Sequence, residues 1–134
     1  MTKPASRLMP RTAKFLAVLI AAGLTLPAIA RDKRPDNLVP SGAAIDCVLP
    51  SNIRSTNVRD DHTIDFEMNG GKIYRNTLPN SCPSLGFEKR FLYRLSTSQL
   101  CSVDLIRVLQ SFGGGLQEGA ACGLGKFQPM TKVK

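Results

Sequence analysis

The first thirty residues constrain the fold more than any other stretch, because they decide the redox state of the four cysteines behind them. Met1–Lys14 contains Lys3, Arg7, Arg11 and Lys14 and no acid. Phe15–Leu26 is apolar apart from Thr25, and Pro27-Ala28-Ile29-Ala30 has the small-residue A-x-A pattern. This is the form of a secretory signal, with cleavage expected after Ala30. A bilayer span takes about 20 apolar residues, and Phe15–Ala30 is shorter and interrupted by Pro27. A retained anchor is therefore the weaker reading, and no later segment has the length to cross a membrane. The first cysteine after the apolar run is Cys47, too distant for lipid anchoring. In an oxidising compartment Cys47, Cys82, Cys101 and Cys122 are expected to pair.

Without residues 1–30 the chain has 104 residues, enough for one domain. Such a chain buries roughly 60–65% of its unfolded surface, so two disulfides at roughly 2–4 kcal/mol each matter to it. The formal charge of +8 overstates the basic character. Four of the 18 basic residues lie in the leader, which leaves 14 against ten acids, or +4. The remaining basic residues are scattered, which argues against a nucleic-acid partner.

Residues 31–43 are rich in charge, proline and glycine and read as a flexible N-terminal segment. The domain is expected over 44–130, with 131–134 as a C-terminal tail. Its clearest local signal is the alternation of Ile64, Phe66 and Met68 with Thr63, Asp65 and Glu67, a strand with one apolar and one polar face. Asn69-Gly70 suits a two-residue type I′ turn. That turn would place Glu67 opposite Lys72 and Phe66 opposite Ile73. Further strands are expected over 53–59 and 90–96. Val103–Phe112 has helical spacing at Leu105, Val108, Leu109 and Phe112 but β-branched residues at Val103, Ile106 and Val108, and the strand reading is favoured. Gly113–Gly125 contains six glycines and reads as a loop, with Lys126–Met130 as a short closing strand. The expected fold is mainly β: a small antiparallel sheet or partly closed barrel stapled by disulfides.

The cysteine spacings contain no C-x-x-C, so a zinc ribbon or a thioredoxin-type motif is not indicated. In an up-and-down meander, strand parity places Cys47 and Cys101 at one end and Cys82 and Cys122 at the other. This favours Cys47–Cys101 with Cys82–Cys122 over the sequential pairs Cys47–Cys82 and Cys101–Cys122. Asp60-Asp61-His62 with Asp65 and Glu67 is the densest set of potential ligands, but it lacks the spacing of a calcium loop and reads better as a polar turn and a strand face. No metal and no cofactor is expected. His62 is the sole histidine, and no serine sits in G-x-S-x-G, so a hydrolase using His62 or a carboxylate pair is a weak alternative. Gly125-Lys126 fails as the end of a phosphate loop, because Ala120 and Phe127 stand where Gly and Ser/Thr belong. Arg54, Arg75 and Arg94, with Arg90 and Arg107 near Tyr74 and Tyr93, are the candidate anion-binding face, since arginine grips carboxylate or phosphate at two points.

Four segments carry a resemblance: Tyr74-Arg75-Asn76-Thr77-Leu78-Pro79, Cys82-Pro83-Ser84-Leu85-Gly86-Phe87, Leu100-Cys101-Ser102-Val103-Asp104 and Cys122-Gly123-Leu124-Gly125-Lys126-Phe127. Together they resemble a group of short exported proteobacterial proteins of unknown function, over residues 45–130. The resemblance implies one exported, disulfide-containing domain and assigns no functional residue. The resulting expectation is a periplasmic or secreted protein with a non-enzymatic structural or interaction role in the cell envelope. Its partner would be an envelope component or an anionic polymer, the latter bound through the arginine face.

Overall fold

Residues 36–95 and 97–134 are described in the structure, a computed structural model. The leader expected over 1–30 and the opening of the lead-in, 31–35, lie outside the described residues. Ten strands follow in chain order: β1 (Leu38–Pro40), β2 (Cys47–Val48), β3 (Ile53–Val58), β4 (Thr63–Met68), β5 (Ile73–Thr77), β6 (Phe91–Tyr93), β7 (Leu100–Cys101), β8 (Leu105–Phe112), β9 (Gly115–Gly123) and β10 (Phe127–Lys132). A short α-helix, α1 (Leu85–Glu88), lies between β5 and β6, and a 3-10 turn, Pro50–Asn52, between β2 and β3. No helix among the described residues is long and apolar enough to cross a membrane.

The strands form antiparallel sheets, with no closed barrel. The first sheet has the order β1-β10-β5-β4-β3, the second β6-β8-β9, and β2 pairs with β7 as a separate ribbon. A single meander is therefore not formed. β3, β4 and β5 follow one another as expected, but Leu78-Pro79 ends that run and the chain passes through α1 into the second sheet. β10 then returns to the first sheet, between β5 and β1.

The alternation read in β4 is obeyed on its core side: Ile64, Phe66 and Met68 are buried. Phe66 joins the layers, meeting Phe127 of β10 edge-on at 5.4 Å and Phe91 of β6 at 6.2 Å. Such pairs contribute roughly 0.5–1.5 kcal/mol beyond their area. Ile106 and Val108 of β8 join the core, with Val48 of β2, Val58 of β3, Leu85 of α1, Leu100 of β7, and Leu78 and Leu124 from the connections.

The β4–β5 register differs from expectation by one residue. Glu67 lies opposite Ile73 and Phe66 opposite Tyr74. The turn uses three residues, Asn69-Gly70-Gly71: the Met68 amide donates to the Lys72 carbonyl at 2.8 Å and the Gly71 amide to the Met68 carbonyl at 3.1 Å. Gly70 and Gly71 both have positive φ, 85° and 82°, so the second glycine permits the longer turn. A one-residue slip reverses every side chain of the return strand. It turns Arg75 to the polar face, opposite Asp65, and Asn76 to the core face, opposite Ile64.

Three other expectations are corrected. Part of the N-terminal segment 31–43 is built into the fold: Leu38–Pro40 pairs with β10, and the Ser41 amide donates to the Pro129 carbonyl. The tail 131–134 begins inside that same pairing, since Thr131 and Lys132 face Val39 and Leu38. The glycine-rich stretch is mostly strand: Gly113-Gly114 makes the two-residue connection of a long β8–β9 hairpin. The favoured strand reading of Val103–Phe112, by contrast, is borne out from Leu105 onward, where it forms β8.

Cys47 is bonded to Cys101 across β2 and β7, and Cys82, fully buried, to Cys122 of β9. The described residues contain no free cysteine.

Candidate functional site

The polar face of β4 carries a buried ion-pair network. Asp65 is paired by Arg75 of β5, through Nε at 2.7 Å and Nη2 at 3.0 Å, and by Nη1 of Arg59, just beyond β3, at 3.1 Å. The side chain of Asp65 is 4% exposed. Asp36, on the segment leading into β1, closes the network from outside: Nη1 and Nη2 of Arg75 donate to its two carboxylate oxygens, and Arg59 Nη2 lies 3.5 Å from Oδ1. Bonding from Arg75 holds the Asp36 carboxyl below its ordinary value of 3.8. The carboxylates of Asp65 and Asp36 in turn raise the Arg75 pKa, so its charge is permanent.

This arrangement corrects the expected arginine face. Arg75 is engaged by Asp65 and Asp36 and largely buried. Arg94 lies beyond the second sheet and pairs with Glu118 at 3.1 Å, which also takes Arg107 at 3.4 Å. Arg54 is exposed on the outer strand β3, beside its bulge. Arg90 donates to Ser111 at 2.9 Å. Tyr74 and Tyr93 are partly buried against the core. Arg75 and Arg94 lie on different sheets, and each is engaged by acidic side chains.

The acidic cluster around His62 is likewise dispersed. His62 is exposed in the turn from β3 to β4, where its backbone N–H donates to the Asp60 carboxylate at 2.8 Å. Asp61 accepts the Gly86 N–H at 2.6 Å, which fixes the start of α1. Glu67 accepts the Ser55 hydroxyl at 3.0 Å. No group of three metal-ligating side chains occurs among the described residues.

Several motif residues have structural roles. The buried Asn76 side chain bonds Gly125 reciprocally, donating to its carbonyl at 2.6 Å and accepting its N–H at 2.8 Å. A Cβ on Gly125 would stand 2.1 Å from the Thr77 carbonyl oxygen, so only glycine fits. Asp104 accepts the Cys101 N–H at 2.7 Å and, through its carbonyl, the Leu124 N–H at 3.1 Å. The segments read as motifs thus bond to one another across the fold.

The second sheet presents the most unusual surface. Ile106 and Val108 face the core, so Leu105 and Arg107 face outward, with Leu92 opposite Arg107 on β6. Val103, Leu105 and Leu116 are 85%, 56% and 55% exposed. Leu92, Arg94, Val103, Asp104, Leu105 and Arg107 line a shallow hollow of about 320 Å³. Among the described residues β9 closes the sheet order, with β8 on one side only. Its nine residues carry one charge, Glu118, and no proline. β3 is bulged near Arg54, β1 ends at Pro40 and β6 has only three residues, while β9 is the longest outer strand although it too shifts register, against β8 between Arg107 and Leu109. The sequence signal for this surface was apolar character on both phases of 103–108, obscured by reading the following glycines as a loop. No family model, curated protein or solved structure matches the chain.

Proposed function

We propose that this protein is an exported, non-enzymatic interaction domain of the cell envelope. Its working surface is the outer face of β6-β8-β9 together with the open edge of β9. The observation that carries this reading is the juxtaposition of exposed Val103, Leu105 and Leu116 with the edge of β9, nine residues long and bearing a single charge. Apolar exposure beside a free ladder edge suits strand addition, where backbone bonds supply affinity and alternate side chains supply specificity. The partner that fits is an extended protein segment with apolar side chains toward Leu105 and Leu116 and an acidic residue reaching Arg94. Two disulfides agree with a compartment outside the cytoplasm. His62 stands exposed in a turn, apart from the hollow lined by Leu92, Leu105 and Arg107, which gives a hydrolase reading no support.

The test is photocrosslinking in cells that export the protein, with a photoreactive phenylalanine analogue in place of Leu116, Leu105 or, as control, Ser55 of β3. A defined protein adduct from Leu116 and Leu105, abolished by Gln117→Pro and absent from Ser55, is the expected result. Equal labelling from all three positions, or none, overturns the interaction reading. Mass spectrometry of the recovered protein reads the mature N-terminus, expected at Arg31; an intact Met1 overturns export.

A further inference from the structure

We propose that Arg59 and Arg75 form an oxyanion-binding site that the chain fills with its own Asp36. This inference stands apart from the β9 surface, since its residues lie on the first sheet and the segment before β1.

The fixed part of the site is Asp65 beneath the two guanidinium groups. One carboxylate under two permanent cations leaves one positive charge, and it leaves specific donors unspent. Arg75 uses Nε and one side of Nη2 on Asp65, so Nη1 and the other side of Nη2 point away from it. Arg59 uses Nη1, which leaves Nη2. These donors form a two-point receptor of the kind that matches a carboxylate or a phosphate. Asp36 occupies that receptor as a bound anion would, with one oxygen on each terminal nitrogen of Arg75 and Arg59 Nη2 beside the second.

The two acids differ in how firmly they are held. Asp65 is part of a central strand and 4% exposed, whereas Asp36 precedes a three-residue outer strand and its side chain is 39% exposed. The segment around Asp36 is tied by few bonds: its own carboxylate accepts the Leu38 N–H at 3.2 Å, and Asn37 accepts the Val133 N–H at 2.7 Å. Short outer segments held by few bonds open locally at low free-energy cost. When Asp36 leaves, the cationic receptor stays in place, because Asp65 still holds both arginines. The ligand class is an oxyanion bearing one carboxylate or phosphate group, which competes with a tethered carboxylate at high effective concentration. Wild-type protein therefore binds such a ligand weakly, and removal of the Asp36 charge exposes the full affinity.

The test is an NMR titration of the mature protein with inorganic phosphate, following the guanidinium Nε–H signals of Arg59 and Arg75. Asp36→Asn is expected to bind phosphate saturably and at least tenfold more tightly than wild type. Adding Arg59→Gln to Asp36→Asn is expected to weaken that binding at least fivefold. No saturable shift in Asp36→Asn, or the same affinity with and without Arg59→Gln, overturns the proposal. A second measurement needs no variant: in wild type, phosphate should accelerate hydrogen exchange at the Leu38 amide, which Asp36 accepts. Exchange at Leu38 that is unchanged up to saturating phosphate also overturns it.

Discussion

Arg75 lies directly across from Asp65 on the polar face of the first sheet, and its Nε and Nη2 donate to both carboxylate oxygens. The pair depends on the three-residue turn that sets the β4–β5 register. With a two-residue turn Arg75 would sit on the opposite face, among Ile64 and Phe66. Removing one partner of a buried pair leaves an uncompensated charge, which costs roughly 3–5 kcal/mol. Arg59 retains part of the compensation here, so Arg75→Met is expected to destabilise by about 3 kcal/mol in urea unfolding. The double variant Asp65→Leu/Arg75→Met should lose less than Arg75→Met alone. A double variant that is the less stable of the two would show that the ion pair itself, and not the orphaned charge, stabilises the sheet.

Asn76 and Gly125 make a second register-dependent contact, across 49 positions of sequence. Asn76→Leu leaves the N–H and carbonyl of half-buried Gly125 without their partner, at roughly 1–3 kcal/mol for each group that water does not reach, and a loss of about 2 kcal/mol is expected. Gly125→Ala pushes a methyl group against the Thr77 carbonyl, where overpacking costs about 3 kcal/mol or more. Because the two changes break one contact, their effects should not add. Strict additivity in denaturant unfolding would show that the two positions act independently.

The disulfides close sequence separations of 54 and 40 residues. Chain entropy alone assigns each about 4 kcal/mol, with the longer loop slightly ahead. Burial reverses that order: Cys82 is fully buried, whereas Cys47 and Cys101 are partly exposed. Cys82→Ala/Cys122→Ala is therefore expected to lower the thermal midpoint more than Cys47→Ala/Cys101→Ala. Calorimetry of the two variants checks this, and the opposite ranking would leave loop length as the governing factor.

Acid should loosen the segment around Asp36. Its carboxyl sits below 3.8 in the folded protein, so the unfolded chain takes up the proton first as pH falls. The stabilisation is complete above the unfolded value and disappears as pH drops through the lower folded value. The midpoint difference between wild type and Asp36→Asn should be constant above about pH 5 and vanish at lower pH. A difference that persists when Asp36 is protonated in both states would mean that its charge is not what Arg75 and Arg59 recognise.

Short-range features were legible in the sequence because neighbouring residues decide them. The alternation around Phe66 specifies a strand and its buried face whatever lies opposite, and Gly70 marks a turn. Four cysteines behind an export-type leader imply pairing in an oxidising compartment, while their partners depend on the path of the chain. Long-range choices were not legible, because adjacent residues permit more than one answer. Asn69-Gly70-Gly71 accepts a two- or a three-residue turn, and the alternatives differ by the face on which every residue from Ile73 to Thr77 lies. Only the assembled sheets distinguish them: Asp65 and Asp36 hold Arg75 on the polar face, and Gly125 holds Asn76 in the core. The same holds for the glycine-rich stretch, which becomes a strand because β8 offers it a ladder. It holds also for Leu38–Pro40, which has little to bury by itself and is ordered by pairing with β10, ninety or more residues along the chain. Backbone hydrogen bonds between distant segments carry no local sequence signature, so tertiary structure alone decided that β10 lies between β5 and β1 and that, among the described residues, β9 ends its sheet.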